Sequence, residues 1–160
     1  QAYIQMLGTD VVIPRISRTF GRTMLLSDSK ASSQFIMNAV HKENIVLKSA
    51  GTQLYSYAYV ADIVSALLFL LVKGQKGEAY NVSNEHCDIT LRTFAETLAN
   101  VAGTKVIHGE ATAQEKQGFS KATKALLDNQ KIYALGWRPL YDSMEEPLKH
   151  TIKILEGSGN

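Results

Sequence analysis

The chain has 160 residues, enough for one domain with a real hydrophobic core, and its 45% hydrophobic and 20% charged content argues against disorder. Its 17 basic and 15 acidic residues are spread along the chain, leaving a net charge of +2 and no basic stripe of the kind that binds nucleic acid. The single cysteine, Cys87, excludes an internal disulfide and a multi-cysteine metal centre, and a reducing cytoplasm is the expected location.

Gln1 to Leu7 reads as the second half of a helix, with Ile4 and Leu7 three apart and Gly8 as its stop. There is no initiator methionine and no signal-peptide pattern, and the chain is expected to be a piece of something longer. Val11-Val12-Ile13 is short and β-branched, as in a parallel strand buried on both faces, and Pro14 ends its ladder or lies at its edge. Ser17 to Lys30 is polar and is predicted as a loop long enough to have a binding role. Ala31 to Lys42 follows as an amphipathic helix burying Phe35, Ile36, Ala39 and Val40, then Ile45 to Leu47 as a short strand.

The stretch Gly51 to Asn84 reads as the centre of the chain. A strand with Tyr55, Tyr57 and Tyr59 on one face leads into a helix that is apolar nearly all round from Ile63 to Val72, capped by Asp62 and closed by Lys73 and Gly74. Such a helix needs cover on several sides, and its apolar run falls short of the roughly 20 residues that cross a bilayer. A strand over Glu78 to Ser83 returns. Thr90 caps the next predicted helix, whose stripe is Leu91, Phe94, Ala95, Leu98 and Ala99 or Ala102, and Gly103 ends it. Lys105 to His108 is a predicted strand and Gly109 to Gly118 a mobile loop. Asp128 or Asn129 caps a short helix to Leu135, with Gly136 as its stop. Ser143 and Glu146 form a capping box for a last helix lined by Leu148, Ile152 and Leu155, with Pro147 tolerated in its first turn. The alternation of strands and helices argues for an α/β or α+β domain, in which only Val11 to Ile13 reads as a central strand.

No complete catalytic constellation is present. The glycines at 51, 74, 77, 103, 109 and 118 never fall into phosphate-loop spacing, and there is no nucleophile elbow. His41, His86, His108 and His150 lack the spacing of metal ligands and read as surface or interface residues. Two segments stand out. Arg15, Arg18 and Arg22 follow a strand into a loop, where ligands of open α/β sheets bind and where arginine forks suit phosphate, although a solvated polar loop is the equal alternative. The three tyrosines of the central strand serve cross-strand packing, with ligand stacking as the alternative.

The runs VVIPRISRTFGR, SDSKASSQFIMNAVHKENIVLKSAGTQLYSYAYVADIVSALLFLL, KGEAYNVSNE and DNQKIYALGWRPLYDSMEEPLKHTIKIL resemble the C-terminal half of the NAD-dependent epimerase/dehydratase family, the extended short-chain dehydrogenases/reductases that act on nucleotide-activated sugars. The ordered series R-x-x-x-x-F/Y-G, F-I-x-x-A, G-x-Q, Y-V-x-D, G-x-x-Y-N-V and L-G-W-x-P spans nearly the whole chain. The resemblance implies an α/β fold: the C-terminal portion of an extended SDR Rossmann-type fold, a few sheet strands with a small mixed α+β substrate-binding lobe. Residues 1–156 would be the substrate-binding region and 157–160 a flexible tail.

The resemblance further implies NAD as cofactor of a longer parent of 4-epimerase, 4,6-dehydratase or decarboxylase type. The glycine loop and the catalytic Tyr-x-x-x-Lys of that family are not in this sequence, so the chain is expected to lack activity by itself and to hold no catalytic residue. The implied partners are a nucleoside-diphosphate sugar, the N-terminal Rossmann half and a second copy in a homodimer; a non-catalytic nucleotide-sugar-binding or assembly module is the alternative. By position, Arg15 to Arg22 would lie over nicotinamide and sugar diphosphate, with Ser17 and Arg18 towards the cofactor and Arg15, Arg18 and Arg22 towards the substrate. Ser33, Gln34 and Phe35 match the start of a helix near the nucleotide base. Gln53 and Tyr55 fall in a G-x-Q-x-R motif, and Tyr55 replaces the arginine that reaches the phosphates; Arg18 or Arg22 would compensate. Asp62 is expected as a structural cap, and Asn81 as a residue that orients a turn.

Overall fold

A computed structural model describes residues 2–25 and 28–157. In chain order the elements are α1 (Ala2–Leu7), β1 (Ile13–Ile16), β2 (Arg18–Phe20), α2 (Ala31–Val40), β3 (Ile45–Leu47), β4 (Leu54–Tyr59), α3 (Val60–Lys73), β5 (Ala79–Val82), a 3-10 turn at Glu85–Cys87, β6 (Asp88–Thr90), α4 (Leu91–Ala102), β7 (Val106–His108), α5 (Ala113–Gln117), β8 (Lys124–Ala125), α6 (Gln130–Ala134) and α7 (Glu145–Gly157). Gly157, expected in the tail, is the last residue of α7; residues 158–160 lie outside the described ones, as do Gln1, Leu26 and Ser27.

β4 is the organising strand. It pairs in parallel with β2 and β8 and antiparallel with β6, while β1 with β5 and β3 with β7 form separate parallel pairs. Both faces of β4 are buried, and successive strand residues point to opposite faces. Tyr55, Tyr57 and Tyr59 face one core, built with Phe20, Phe35, Ile36, Phe94, Leu98, Leu148 and Ile152. Ala58 faces a second core, built with Ile63, Ala66 and Leu70 of α3, Tyr80 and Val82 of β5, and Ile132 and Trp137. The expectation that Val11 to Ile13 is the central strand is thus overturned. β1 starts only at Ile13, carries Pro14 inside it, and is mostly exposed, because β5 is its only neighbour among the described residues.

α4 follows its sequence signals: Thr90 Oγ1 accepts from the Thr93 N–H at 3.0 Å, Gly103 is left-handed at φ 71°, and Phe94, Ala95, Leu98 and Ala99 are buried. The predicted loop from Ser17 to Lys30 instead contains β2, which becomes a strand by pairing Arg18, Thr19 and Phe20 with Tyr57, Ala58 and Tyr59. The predicted mobile loop from Gly109 to Gly118 contains α5, started by a capping box between Thr112 and Glu115. α2 ends at Val40 rather than Lys42, and α7 begins at Glu145, with the Leu148 N–H bonded to the Met144 carbonyl.

α3 departs most from expectation. Ile63, Ala66 and Leu70 are buried, but Val64, Leu68, Leu71 and Val72 on the opposite side are 48%, 61%, 82% and 76% exposed. The apolar helix is covered on one side among the described residues. Asp62 does not cap it. Tyr59 occupies the N-cap position, and the fully buried Asp62 accepts the Leu140 N–H at 2.6 Å and the Asn84 side-chain amide at 3.1 Å. Asn84 also donates to the Tyr141 carbonyl at 2.8 Å, and Trp137 Nε1 donates to Ser65 Oγ at 3.0 Å, so the C-terminal segment is stitched onto α3. Gly74 is needed for closeness rather than for a left-handed turn. Its φ is −67°, and a Cβ there would come within 2.6 Å of the Leu70 carbonyl oxygen and 2.9 Å of Val12. Asn129 likewise makes no side-chain cap: it accepts from Ser83 N and Oγ, both at 3.1 Å, and Asp128 Oδ1 accepts the Gln130 N–H instead. Asn81 holds the same connection, donating to the Asp128 carbonyl at 2.9 Å.

Candidate functional site

A cleft of about 470 Å3 lies where β4 meets α2, the end of β3 and the segment around α5. Tyr55 and Tyr57 of β4 line it with Phe35, Leu91 and Phe119, and Gln34, Gln53 and several serine hydroxyls add polar atoms. The charged groups along it are Arg18, Lys30, Lys48 and Glu115, three cations against one carboxylate. Aromatic faces beside a cationic rim suit a ligand that joins a ring to an anion.

Of the residues expected to bind substrate, four come together in this cleft: Arg18, Gln34, Gln53 and Tyr55. The Arg18 guanidinium carbon lies 3.8 Å from the Tyr55 ring centroid, a cation–π stack between β2 and β4. Gln34 donates to the Ser29 carbonyl at 3.0 Å, and the Gln53 side-chain oxygen is buried without a hydrogen-bond partner among the described residues. Ser33 is buried beside the cleft and donates to Asp28 Oδ2 at 3.1 Å, which fixes the loop leading into α2. Arg15 lies on β1, in register with Asn81, and Arg22 is an exposed residue just after Gly21; neither lines the cleft. Ser17 joins β1 to β2. Its N–H donates to the Val82 carbonyl at 3.0 Å, and its hydroxyl is buried without a partner among the described residues.

Lys30, Lys48, Glu115 and Phe119 also line the cleft and were not anticipated. Lys48 Nζ and Glu115 Oε1 form an ion pair at 2.5 Å, and the other Glu115 oxygen accepts the Thr112 N–H at 2.9 Å. Both contacts hold the Glu115 carboxyl below the usual glutamate range, the lysine contact being the larger cause. Thr112 and Glu115 carry the threonine-x-x-glutamate spacing of a capping box, a sequence signal that would have revealed α5. Lys48 has no such signal, because its partner is remote in sequence. The Tyr57 phenol is pushed up to about 12 by burial, with the nearby Arg18 charge opposing, so its hydroxyl remains a proton donor at neutral pH.

No group of three or more His, Cys, Asp or Glu side chains that could hold a metal ion occurs among the described residues. A dinucleotide pyrophosphate is held where a strand runs through a glycine-rich turn into a helix N-terminus. No such unit occurs among the described residues: β4 and β6 run straight into α3 and α4 with no glycine between, β1 passes through Ser17 directly into β2, and β5 leads to the 3-10 turn. The residues present therefore do not form a complete NAD cradle. No helix among them is long and apolar enough to cross a membrane.

The model of the NAD dependent epimerase/dehydratase family matches residues 1–83. Over 99% of its length the chain is 29% identical to UDP-glucuronic acid decarboxylase 1 of Xenopus tropicalis, of which it spans 37%. Over 96% it is 26% identical to dTDP-D-glucose 4,6-dehydratase of Mus musculus, of which it spans 43%. Among solved structures, UDP-glucose 4-epimerase from Thermotoga maritima with UDP-glucose superposes with a TM-score of 0.82 at 21% identity, over 99% of this chain and 50% of that one. The dTDP-glucose 4,6-dehydratase of Bacillus anthracis in complex with NAD gives 0.78 at 21% identity, over 98% of this chain and 48% of that one. The likeness to these structures is one of fold, that of the C-terminal portion of extended SDR Rossmann-type enzymes, and the chain spans half or less of each protein.

Proposed function

The chain belongs to the NAD dependent epimerase/dehydratase family, and from that membership we propose that it is the substrate-binding part of an NAD-dependent enzyme acting on nucleoside-diphosphate sugars. The relatives point to a decarboxylase, 4,6-dehydratase or 4-epimerase type. The observation that carries the reading is the cleft, where Arg18, Lys30 and Lys48 border the aromatic surface of Tyr55, Tyr57 and Phe119. A diphosphate meets the cations, and a base or sugar ring meets Tyr57 and Phe119, the Tyr55 face being taken by the Arg18 guanidinium. Gln34 and Gln53 hydrogen-bond the ligand, and Ser33 acts indirectly by holding Asp28. Arg18 takes the phosphate-binding part in the cleft; Arg15, Arg22 and Ser17 lie towards the edge that a cofactor-binding half would approach.

That half, an N-terminal Rossmann unit carrying NAD, is the proposed partner. The exposed face of α3 and the exposed Ile13 and Ile16 of β1 support it, since so much apolar surface on adjoining elements suits an interface. By itself the chain binds but does not turn over substrate; a homodimer forms only with the parent, in the cytoplasm. A second reading, a non-catalytic nucleotide-sugar-binding module, is favoured by one observation: Arg18, Lys30 and Lys48 already border Tyr57 and Phe119 in one cleft, a set that can meet a nucleoside diphosphate without NAD.

Calorimetric titration of the chain with UDP-, dTDP-, GDP- and CDP-sugars, with and without NAD, tests the proposal. Binding of at least one nucleotide sugar without NAD is expected. Absence of binding to all four overturns it, and conversion of a bound sugar by the chain alone overturns its inactivity. Restored turnover on adding the Rossmann half separates the enzyme part from the binding module.

A further inference from the structure

We propose that Tyr55 is a positioning residue, whose ring holds the Arg18 guanidinium at the cleft so that its N–H groups meet the diphosphate of the ligand. The proposal rests on the nucleotide-sugar reading of the cleft and adds to it how one exposed arginine is kept in place. A free arginine side chain has many rotamers, and much of that freedom is lost when it binds an anion. A surface that holds the guanidinium beforehand removes part of that loss from the binding step.

Tyr55 is well suited to be such a surface. It is only 5% exposed and lies on β4, with Ile89 of β6 on one side and Ala125 of β8 on the other. Its ring meets Tyr57 edge to face, with centroids 6.3 Å apart and planes at 84°, and Tyr57 stacks on the fully buried Phe94 at 4.9 Å and 30°. The platform is thus anchored through two further rings to the core. Arg18 reaches it from the neighbouring strand, where its Cα is in register with Tyr57, and its guanidinium carbon lies 3.8 Å from the Tyr55 centroid. Stacking uses the flat face of a guanidinium and leaves its in-plane N–H donors open. No carboxylate among the described residues forms an ion pair with Arg18, whereas Lys30 and Lys48 in the same cleft are each paired, with Asp28 and Glu115. Arg18 is therefore the cleft cation whose charge is not already answered.

The test is a double-mutant cycle read by calorimetry, with UDP as the probe and uridine as the phosphate-free control. Tyr55→Leu is expected to weaken UDP binding about tenfold and Tyr55→Phe less than twofold, because the ring rather than the hydroxyl carries the stack, on the scale of a partly desolvated cation–π contact. In the Arg18→Ala background, Tyr55→Leu is expected to cost no further affinity, and uridine binding should be unchanged throughout. An equal loss with and without Arg18 would mean that Tyr55 merely shapes the cleft. Tighter UDP binding by Tyr55→Leu would mean that the stack withholds Arg18 from the ligand. Either result overturns the proposal while leaving the nucleotide-sugar reading intact. Failure of the unsubstituted chain to bind UDP or any nucleotide sugar overturns that reading, and this assignment with it. Thermal melts of each variant separate misfolding from loss of binding, and Tyr55→Phe serves as the folded rescue.

Discussion

At the scale of single residues, the buried acid Asp62 is the most consequential. Burial raises its pKa above the ordinary value of 3.8, against the lowering effect of bonds from Leu140 and Asn84. The folded state then holds the proton more tightly than the unfolded chain. The group's contribution to stability is accordingly full at low pH and declines as pH rises from about 3.8 through the folded-state pKa. Asp62→Ala leaves the Leu140 N–H without its acceptor and is expected to cost roughly 1 to 3 kcal/mol, as leaving a buried donor unsatisfied does. Urea midpoints measured from pH 4 to 7 should show the gap between wild type and variant narrowing as pH rises; a widening gap would show that the charged carboxylate is the favoured form. Cys87 makes a second case. Burial, helped by the nearby Asp62 and Asp88, pushes its thiol up to about 12, so almost no thiolate exists at neutral pH. A thiol reagent should label it only as fast as the protein unfolds, and rapid labelling of the folded chain at pH 7.5 would contradict the buried placement.

Among elements, the chain around α5 contrasts with the core helices. From Gly109 to Ala125 no residue is fully buried, and the segment is tied to the body by the Gly109 N–H on the Leu47 carbonyl, the Lys48–Glu115 pair and the Leu54 N–H on the Thr123 carbonyl. The middle tie occupies a cation that lines the cleft. Glu115→Gln is therefore expected to tighten UDP binding roughly two- to fivefold at low salt, with the gain shrinking near 0.15 M salt as exposed charges are screened. Weaker binding in titrations of this variant would mean that α5 must stay docked for the cleft to form.

The same elements explain what was legible in the sequence. α4 could be read because its cap Thr90, its apolar stripe and its stop Gly103 lie within one local stretch. β2 could not, since Arg18-Thr19-Phe20 has no strand pattern of its own and becomes a strand only against β4. α5 had a local signal in Thr112 and Glu115 that its polar composition masked. For α3 the period was clear, but an all-apolar helix does not reveal which side is covered. In the cleft, Arg18 stood out as an arginine following a strand into a loop and Tyr55 as part of a tyrosine-faced strand, Gln34 and Gln53 came from family motifs, and Lys48 and Glu115 meet only through tertiary pairing.

For the whole molecule, the decisive contrast is between two well-filled cores and one bare helix face. Val64, Leu68, Leu71 and Val72 present apolar surface that the described residues leave to solvent. Replacing Leu68 by Gln and Leu71 by Lys, both good helix formers, should change folding stability by no more than about 0.5 kcal/mol each, as at ordinary surface positions. The double variant should also show less concentration-dependent association in sedimentation runs. A large drop in melting temperature would instead place this face inside the fold of the isolated chain.

β4, with a different core on each of its two faces, has a consequence for variation. A single inserted or deleted residue there would exchange the faces, driving tyrosine rings into the space now filled by Ala58 and small residues into the aromatic core. Relatives should therefore keep the length of this strand while its composition drifts, and gather their insertions in the unburied stretch from Gly109 to Thr123. Length variation along the family would then avoid the two-core seam, leaving the strand under Arg18 fixed in length.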